Sequence, residues 1–434
     1  MAGGSVVATR ALPPEESRAV MADAAARELV DEHSRVVVLE HERVDFPSFP
    51  YEWPPEMLHA AALLTLDLAQ ALLAEGLGLK DATPYNILFR GPDPVFIDVL
   101  SFERRDADDA TWLAYAQFVR SFLLPLLASK AYGLRLDQLL TTRRDGLEPE
   151  DVYRWTTLLQ RLRPPFFGLV SMPTWLGARH NQDDASIYQK GRSSDPAKAR
   201  FILNALLNGL RRTLKRLEPA AGKGSAWSDY MTGNNNYTPA HFEAKERFVK
   251  EALAEYGVRA VLDVGCNTGH FSALAARGDA KVVAVDDDPV VLGEVWRRAR
   301  AEKLDILPLV VNLSRPSPGT GWRNRECASF LERARGTFDA VLMLAVIHHM
   351  LVTERVPLAE ILDLAAELTR SWLVIEFIAP DDSMFRRLTR GRDDLHKDLT
   401  PAYFERVCLR HFAIIRTQHI ENTTRWLYLL RKRG

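Results

Sequence analysis

The densest chemistry in the sequence sits where the apolar run Ala260-Val261-Leu262 gives way to Asp263-Val264-Gly265-Cys266-Asn267-Thr268-Gly269-His270. Glycines in a strand-to-helix turn let the backbone bend sharply and approach a ligand with no Cβ in the way. Open α/β sheets bind ligands at this place, outside the carboxyl end of a strand. The spacing is Asp-x-Gly-x-x-x-Gly. It is neither the Gly-x-Gly-x-x-Gly of dinucleotide sites nor a phosphate loop, which needs a following Lys-Ser or Lys-Thr. A second apolar run ends in Val285-Asp286-Asp287-Asp288-Pro289. A carboxylate at Asp286, about twenty residues past the glycines, can accept hydrogen bonds from both hydroxyls of a ribose. The other use of such a run is to favour a helix N-terminus, which suits Asp287 or Asp288 but not all three.

Two histidines, His348 and His349, follow Leu344-Ala345-Val346-Ile347. An imidazole titrates near neutrality, so His348 could take a proton from an acceptor hydroxyl or amine. The alternative for one or both rings is to orient the following loop by hydrogen bonding. Glu376, before Pro380-Asp381-Asp382, is the other candidate, and it also reads as a structural acid at a strand end. The loop from Leu313 to Asn324 is long enough to border an acceptor pocket, with Trp322 either exposed there or plugging the core. No carboxylate set builds a magnesium site, and no Asn/Asp-Pro-Pro-Tyr/Phe sequence follows the histidine-bearing strand.

The elements that must position these residues alternate regularly. Strands are expected at Arg259–Val264, Lys281–Val285, Ile306–Val311, Phe338–Leu344 and Trp372–Ile378, with helices running to Arg277, over Pro289–Lys303 and over Leu358–Leu368. Short apolar strands alternating with helices imply a parallel sheet covered on both faces. After a helix near Pro401–Leu409, two strands, Phe412–Arg416 and Arg425–Leu430, have no helix between them and read as a terminal β-hairpin. Upstream, residues 1–15 read as a loose tail, Arg35–Val44 as a strand and Met57–Ala74 as an amphipathic helix. Ile87–Arg90 and Val95–Ile97 read as strands joined by Gly91-Pro92-Asp93-Pro94. Residues 110–220 read as helices interrupted at Pro125, Pro164-Pro165 and Pro173, and Glu218–Ser225 as a linker.

Together, the glycine turn, the strand-end acid and the terminal hairpin resemble class I, Rossmann-like S-adenosylmethionine-dependent methyltransferases over about 200 residues. The resemblance implies an α/β fold with a seven-stranded sheet, preceded here by a mainly helical α+β N-terminal domain. It implies S-adenosyl-L-methionine as cofactor, with Asp263, Gly265, Asn267 and Gly269 around its methionine side, Asp286 on the ribose and Asn312 beside the adenine. Trp227-Ser228-Asp229-Tyr230, Tyr237 and Lys245 resemble the family's lid helix, with Lys245 or Tyr237 on the cofactor carboxylate; packing is the other use of the aromatic residues. The di-histidine matches a position beneath the transferring methyl group, making His348 and His349 the catalytic candidates.

A second resemblance lies upstream. Lys80-Asp81-Ala82-Thr83-Pro84-Tyr85-Asn86 with Phe96-Ile97-Asp98 is similar to the catalytic loop and metal-binding acid of protein kinase-like folds, implying Asp81 as base and Asn86 and Asp98 on magnesium. Leu79 replaces the usual histidine, and a glycine-rich phosphate loop is missing, so the segment reads as a degenerate remnant that packs on the methyltransferase domain or shapes its acceptor site. The expected division is 1–110 kinase-like remnant, 111–220 helical region, 225–434 methyltransferase domain.

The composition is ordinary for globular protein, 47% apolar and 26% charged with a net charge of −1. That charge gives no general drive toward nucleic acid or an anionic membrane. Residues 1–20 do not read as a signal peptide, no apolar stretch is expected to reach the roughly 20 residues needed to span a bilayer, and three scattered cysteines suit a reducing compartment. A cytoplasmic enzyme is expected, with no metal, no nucleic acid and no membrane partner. It would methylate oxygen or nitrogen of a small-molecule or peptide-like acceptor. The competing expectation is a non-catalytic cofactor-binding scaffold or sensor whose kinase-like half binds a partner. The fragment from Ser225 is expected to hold cofactor by itself, with region 110–220 covering the acceptor cleft.

Overall fold

The computed structural model describes residues 4–23, 37–177, 195–220 and 238–434. The N-terminal half builds three small antiparallel pairs: β1 (Thr9–Ala11) with β2 (Leu39–His41), β3 (Leu77–Leu79) with β6 (Phe102–Arg104), and β4 (Ile87–Arg90) with β5 (Asp93–Phe96). Residues 4–15 are not a loose tail. They contain β1 and the start of the Pro14–Met21 helix, and Val7 is buried with Val44 and Val95. Of the strand expected over Arg35–Val44, three residues form β2, while Arg35 and Val36 lie outside the described residues.

The Pro55–Ala74 helix is buried over most of its surface, including Glu56, His59 and Thr65, so it is a core helix and not an amphipathic one. Its length and hydropathy would let it cross a bilayer, contrary to the expectation from sequence, yet two thirds of its most apolar stretch is buried in the protein. On one side His59 Nε2 donates to the Leu214 carbonyl at 3.0 Å, on the long Pro196–Leu217 helix. Pro125 and Pro173 do not interrupt their helices. Each follows a π-helical turn, Val119–Leu123 and Phe167–Ser171. A widened turn removes the ordinary i−4 hydrogen bond that a proline lacks the N–H to make.

The C-terminal half is a seven-stranded sheet of β7 (Ala260–Val264), β8 (Lys281–Asp286), β9 (Ile306–Val310), β10 (Phe338–Met343), β11 (Thr369–Ile378), β12 (Phe412–His419) and β13 (Arg425–Lys432). The spatial order is β12-β13-β11-β10-β7-β8-β9. Strands β7 to β11 are parallel, and β13 inserts antiparallel between β11 and β12, so the terminal hairpin forms as expected. Pro308 lies in β9, an edge strand, where its missing N–H breaks no ladder. Side chains alternate between two cores. Val261, Val282, Ala284, Ala340 and Leu342 face one, and Leu262, Val264, Val283, Val285 and Val341 face the other.

That second core is shared with the N-terminal half, since Phe46, Tyr51, Trp53 and Leu58 belong to the same cluster. Phe46 packs on Phe330 and Phe338 with ring centroids 5.9 and 5.7 Å apart. Arg333 donates to the fully buried Glu52 carboxylate and to the Pro47 carbonyl. The β4–β5 turn rests on the Pro289–Glu302 helix, where Trp296 Nε1 donates to the Pro92 carbonyl at 3.0 Å. The next residue, Arg297, pairs with Glu56 at 2.5 Å. Gly293 lies about one turn before Arg297: a Cβ there would stand 2.5 Å from the Glu56 carboxylate.

Candidate active site

The turn after β7 is held open by backbone geometry. Gly265 and Gly269 have φ of 68° and 72°, and Asn267 joins them at 50°. Space matters as well: a Cβ on Gly265 would meet Val346 at 3.0 Å, and one on Gly269 would meet Val295 at 2.8 Å. The amides of Gly265 and Cys266 both donate to the Val285 carbonyl, which ties the turn to β8.

The acidic run after β8 divides its labour. Asp286 accepts the Asn267 amide on one oxygen at 2.9 Å and the Asp288 amide on the other at 3.0 Å. Each oxygen keeps a lone pair for a further donor. Asp288 is the helix N-cap, accepting from the Val290 amide at 2.8 Å, with Pro289 next. Asp287 pairs with Arg135 at 2.8 Å. Burial pushes the Asp286 carboxyl up to about 6, and burial does the same to Asp263, also to about 6, although the Ser272 hydroxyl at 2.6 Å opposes it.

These groups line a cavity of about 460 Å³ that also takes in Lys245, Phe242, Phe271, Asn267, Asn312, His349 and Glu354. Asn312 turns its carbonyl oxygen to the Ser314 amide at 2.9 Å. Lys245 is in the wall but buried and paired with Glu376 at 2.7 Å. Glu376 in turn faces Arg425, which pairs with Asp382 at 3.0 Å. The lysine therefore belongs to an alternating row of buried charges, and Glu376 is its structural acid. Tyr237, with the Trp227–Tyr230 cluster, lies outside the described residues.

The two histidines part company. The rings of His348 and His349 are 4.2 Å apart. His349 lines the cavity, whereas His348 is buried behind it and its Nδ1 has no hydrogen-bond partner among the described residues. Burial lowers the affinity of both rings for a proton, more strongly for His348. At neutral pH His349 is therefore an uncharged imidazole, the form able to accept a proton. The helical start at Ile347–Val352 turns successive side chains about 100° apart, which places His349 in the cavity wall and His348 behind it.

A second cavity, of about 1000 Å³, adjoins the first, and both are lined by His349 and Thr353. The loop from Leu313 behaves differently from expectation. Only Leu313 and Ser314 reach the cofactor-side cavity, Ser317 donates to Glu52 in the N-terminal half, and Trp322 is 77% exposed. In the kinase-like segment, Asn86 Nδ2 donates to the Ser101 hydroxyl at 3.3 Å, and that hydroxyl donates to Asp98. Asp98 also caps the turn at the Leu100 amide. The two residues meet through a serine, and Asp81 stands half-buried at the start of the same loop.

Arg135 is the site residue that the sequence hides. It comes from the N-terminal half, just before the Leu136–Thr142 helix, and lines the cavity beside Asp287 and Asp288. No local motif marks it. Phe242 and Phe271 meet the His270 ring edge to face, and neither was singled out from the sequence.

Residues 262–370 match the family described as a methyltransferase domain. With the sheet order and the glycine turn, this makes the C-terminal half an S-adenosylmethionine-dependent methyltransferase and S-adenosylmethionine its cofactor. The chain is also 31% identical over 393 residues to the nodulation protein NoeA of Rhizobium meliloti (strain 1021), covering 90% of this chain and 81% of that one, and it belongs to that protein's family. Among solved structures, N-methyltransferase NodS from Bradyrhizobium japonicum WM9 with S-adenosyl-L-homocysteine matches at 13% identity and a TM-score of 0.34, covering 51% of this chain and 98% of NodS. Magnesium protoporphyrin IX methyltransferase from Synechocystis PCC 6803 matches at 17% identity and 0.34, covering 52% and 94%.

Proposed function

We propose that the protein transfers the methyl group of S-adenosylmethionine to an oxygen or nitrogen of a small-molecule or peptide-like acceptor, with His349 as the proton-accepting group. The observation that carries this reading is the shared wall: His349 and Thr353 line both the cofactor-side cavity and the larger one beside it. The cofactor supplies a methyl carbon already made electrophilic by a positive sulfur. The protein's part is alignment, and removal of the proton that the acceptor gives up as its new bond forms.

In this reading Asp286 accepts the ribose hydroxyls, Gly265, Asn267 and Gly269 shape the turn beneath the cofactor, and Asn312 borders the adenine. Asp263 closes the methionine side. Lys245, whose charge is matched by Glu376, acts through the cavity wall more than as a dedicated carboxylate ligand. The kinase-like segment is a docking element in a division of residues 1–110, 111–220 and 225–434. A scaffold without turnover has no need of a second cavity meeting the first at a neutral imidazole.

The test is methyl transfer from radiolabelled S-adenosylmethionine into a native cell extract by wild-type and His349→Ala protein. Equal labelling by the two would overturn the role of His349. Cofactor binding unchanged in Asp286→Ala would overturn the ribose assignment.

A further inference from the structure

The second cavity is basic where the first is acidic. Arg355 enters it from the turn after the Ile347–Val352 helix, and Arg387, Arg390 and Arg392 from the Ser383–Thr389 helix and the turn that follows. Among the described residues, Asp398 is the one carboxylate in its wall. Among the described residues none of the four arginines forms an ion pair, whereas the cations of the first cavity, Arg135 and Lys245, are both matched. A cation near a helix C-terminus is favourable by itself, which explains Arg387 and Arg390. It does not explain Arg355, which reaches the same space from a different element.

The charge reverses across His349. On the cofactor side stand Asp263, Asp286, Asp287, Asp288 and Glu354, suited to a sulfonium cation. Consecutive residues divide the same way, with Glu354 lining the first cavity and Arg355 the second. The basic wall is also partly apolar: Leu395 is 73% exposed, and Leu351, Val352 and Tyr403 border the space. Guanidinium groups bind planar or tetrahedral oxyanions through paired N–H donors.

Resting on the methyltransferase reading above, we infer that the second cavity is the acceptor site and that its acceptor carries an anionic group, a phosphate, sulfate or carboxylate, attached to an apolar portion. The arginines hold the anion, the leucines and tyrosine take the apolar portion, and the nucleophilic atom lies toward His349. A cavity more than twice the volume of the cofactor-side one accommodates an acceptor larger than the donor.

The experiment uses full-length protein saturated with S-adenosylhomocysteine and titrated calorimetrically with phenyl phosphate, phenyl sulfate, benzoate, benzyl alcohol and inorganic phosphate. At least one aromatic anion should bind tenfold or more tightly than benzyl alcohol and than inorganic phosphate. The same anion should lose tenfold or more in Arg387→Gln/Arg392→Gln and retain part of its affinity in Arg387→Lys/Arg392→Lys. Equal binding of benzyl alcohol, no binding of any anion, or no response to the glutamine pair overturns the inference. Inorganic phosphate binding as tightly as phenyl phosphate also overturns it, because the site would then take a free anion and not an acceptor. S-adenosylhomocysteine binding is read in the same samples. If it holds while the anions fail, only the acceptor class falls; if it fails in wild type, the methyltransferase reading falls, and the acceptor inference with it.

Discussion

The Arg135 guanidinium and the Asp287 carboxylate meet at 2.8 Å across 152 residues of sequence. The pair brings the N-terminal half to the lip of the cofactor-side cavity, next to the acid that faces the ribose in the proposed reading. The same guanidinium is held by Asp137, so its position is set from its own side of the interface.

Replacing Arg135 with alanine should weaken S-adenosylhomocysteine binding by roughly three- to tenfold with little change in Tm, since a half-exposed pair contributes modestly to folding. Calorimetry on the full chain checks this, and unchanged affinity would leave Arg135 a bystander. The fragment from residue 225 should bind cofactor poorly, contrary to the expectation from sequence. It lacks Arg135 and exposes the sheet face that Phe46, Tyr51 and Trp53 cover.

Cofactor stabilisation should depend on pH. The fold raises the Asp286 and Asp263 carboxyls from 3.8 to about 6 by burial. Protonation is thus favoured in the folded state, and their contribution to stability is fully present below 3.8 and lost as pH rises through about 6. Ribose hydroxyls donating to ionised Asp286 offset that loss. The rise in Tm given by S-adenosylhomocysteine should therefore be larger near pH 7.5 than near pH 5, and Asp286→Asn should flatten the difference. A wild-type response independent of pH would count against the ribose contact.

His349→Ala should reduce kcat/KM by about 10²- to 10⁴-fold, the usual range for a lost general base. His348→Phe should leave kcat/KM within a few fold, because His348 faces neither cavity. The wild-type profile should lose activity on acidification with an inflection below 6.5, since burial lowers the proton affinity of His349. Loss of turnover in His348→Phe alone would reverse the assignment.

The buried pair Glu52–Arg333 should behave differently from a surface pair. Glu52 also receives the Ser317 hydroxyl, and Arg333 lies against Phe46, Phe49 and Phe330. Glu52→Ala leaves a buried cation without its partner and should cost about 3–5 kcal/mol in urea unfolding. Glu40→Ala, breaking the exposed pair with Arg10, should cause no resolvable change.

Much of the C-terminal half was legible because its signals are local. Apolar runs such as Val282-Val283-Ala284-Val285 mark buried parallel strands, and the turn at Gly265 and Gly269 needs the residues it has. The acid run was readable down to Asp286, although only the hydrogen bonds of Asp288 identify the cap. The order of the two histidines was not legible, because it depends on where a short helix starts after β10. Arg135 and Glu52 were invisible for a different reason. Their partners are set by docking between distant segments, and nothing in the sequence near either residue records it. The N-terminal tail misled because its small residues resemble a linker, while the pairing of β1 with β2, the backbone bonds to Phe96 and the burial of Val7 against Val44 and Val95 are all set by distant segments.

Gly293 gives the association of the two halves a chemical signature as small as one methyl group. Its helix could carry alanine without backbone strain and with better helix propensity, yet that methyl would collide with the Glu56 carboxylate. Any chimera that joins this N-terminal half to another methyltransferase inherits the constraint: the recipient helix must be bare at this position. With Glu56→Ala clearing the space, Gly293→Ala should cost less than it does against the native carboxylate, while the loss of the Arg297 partner remains in both backgrounds.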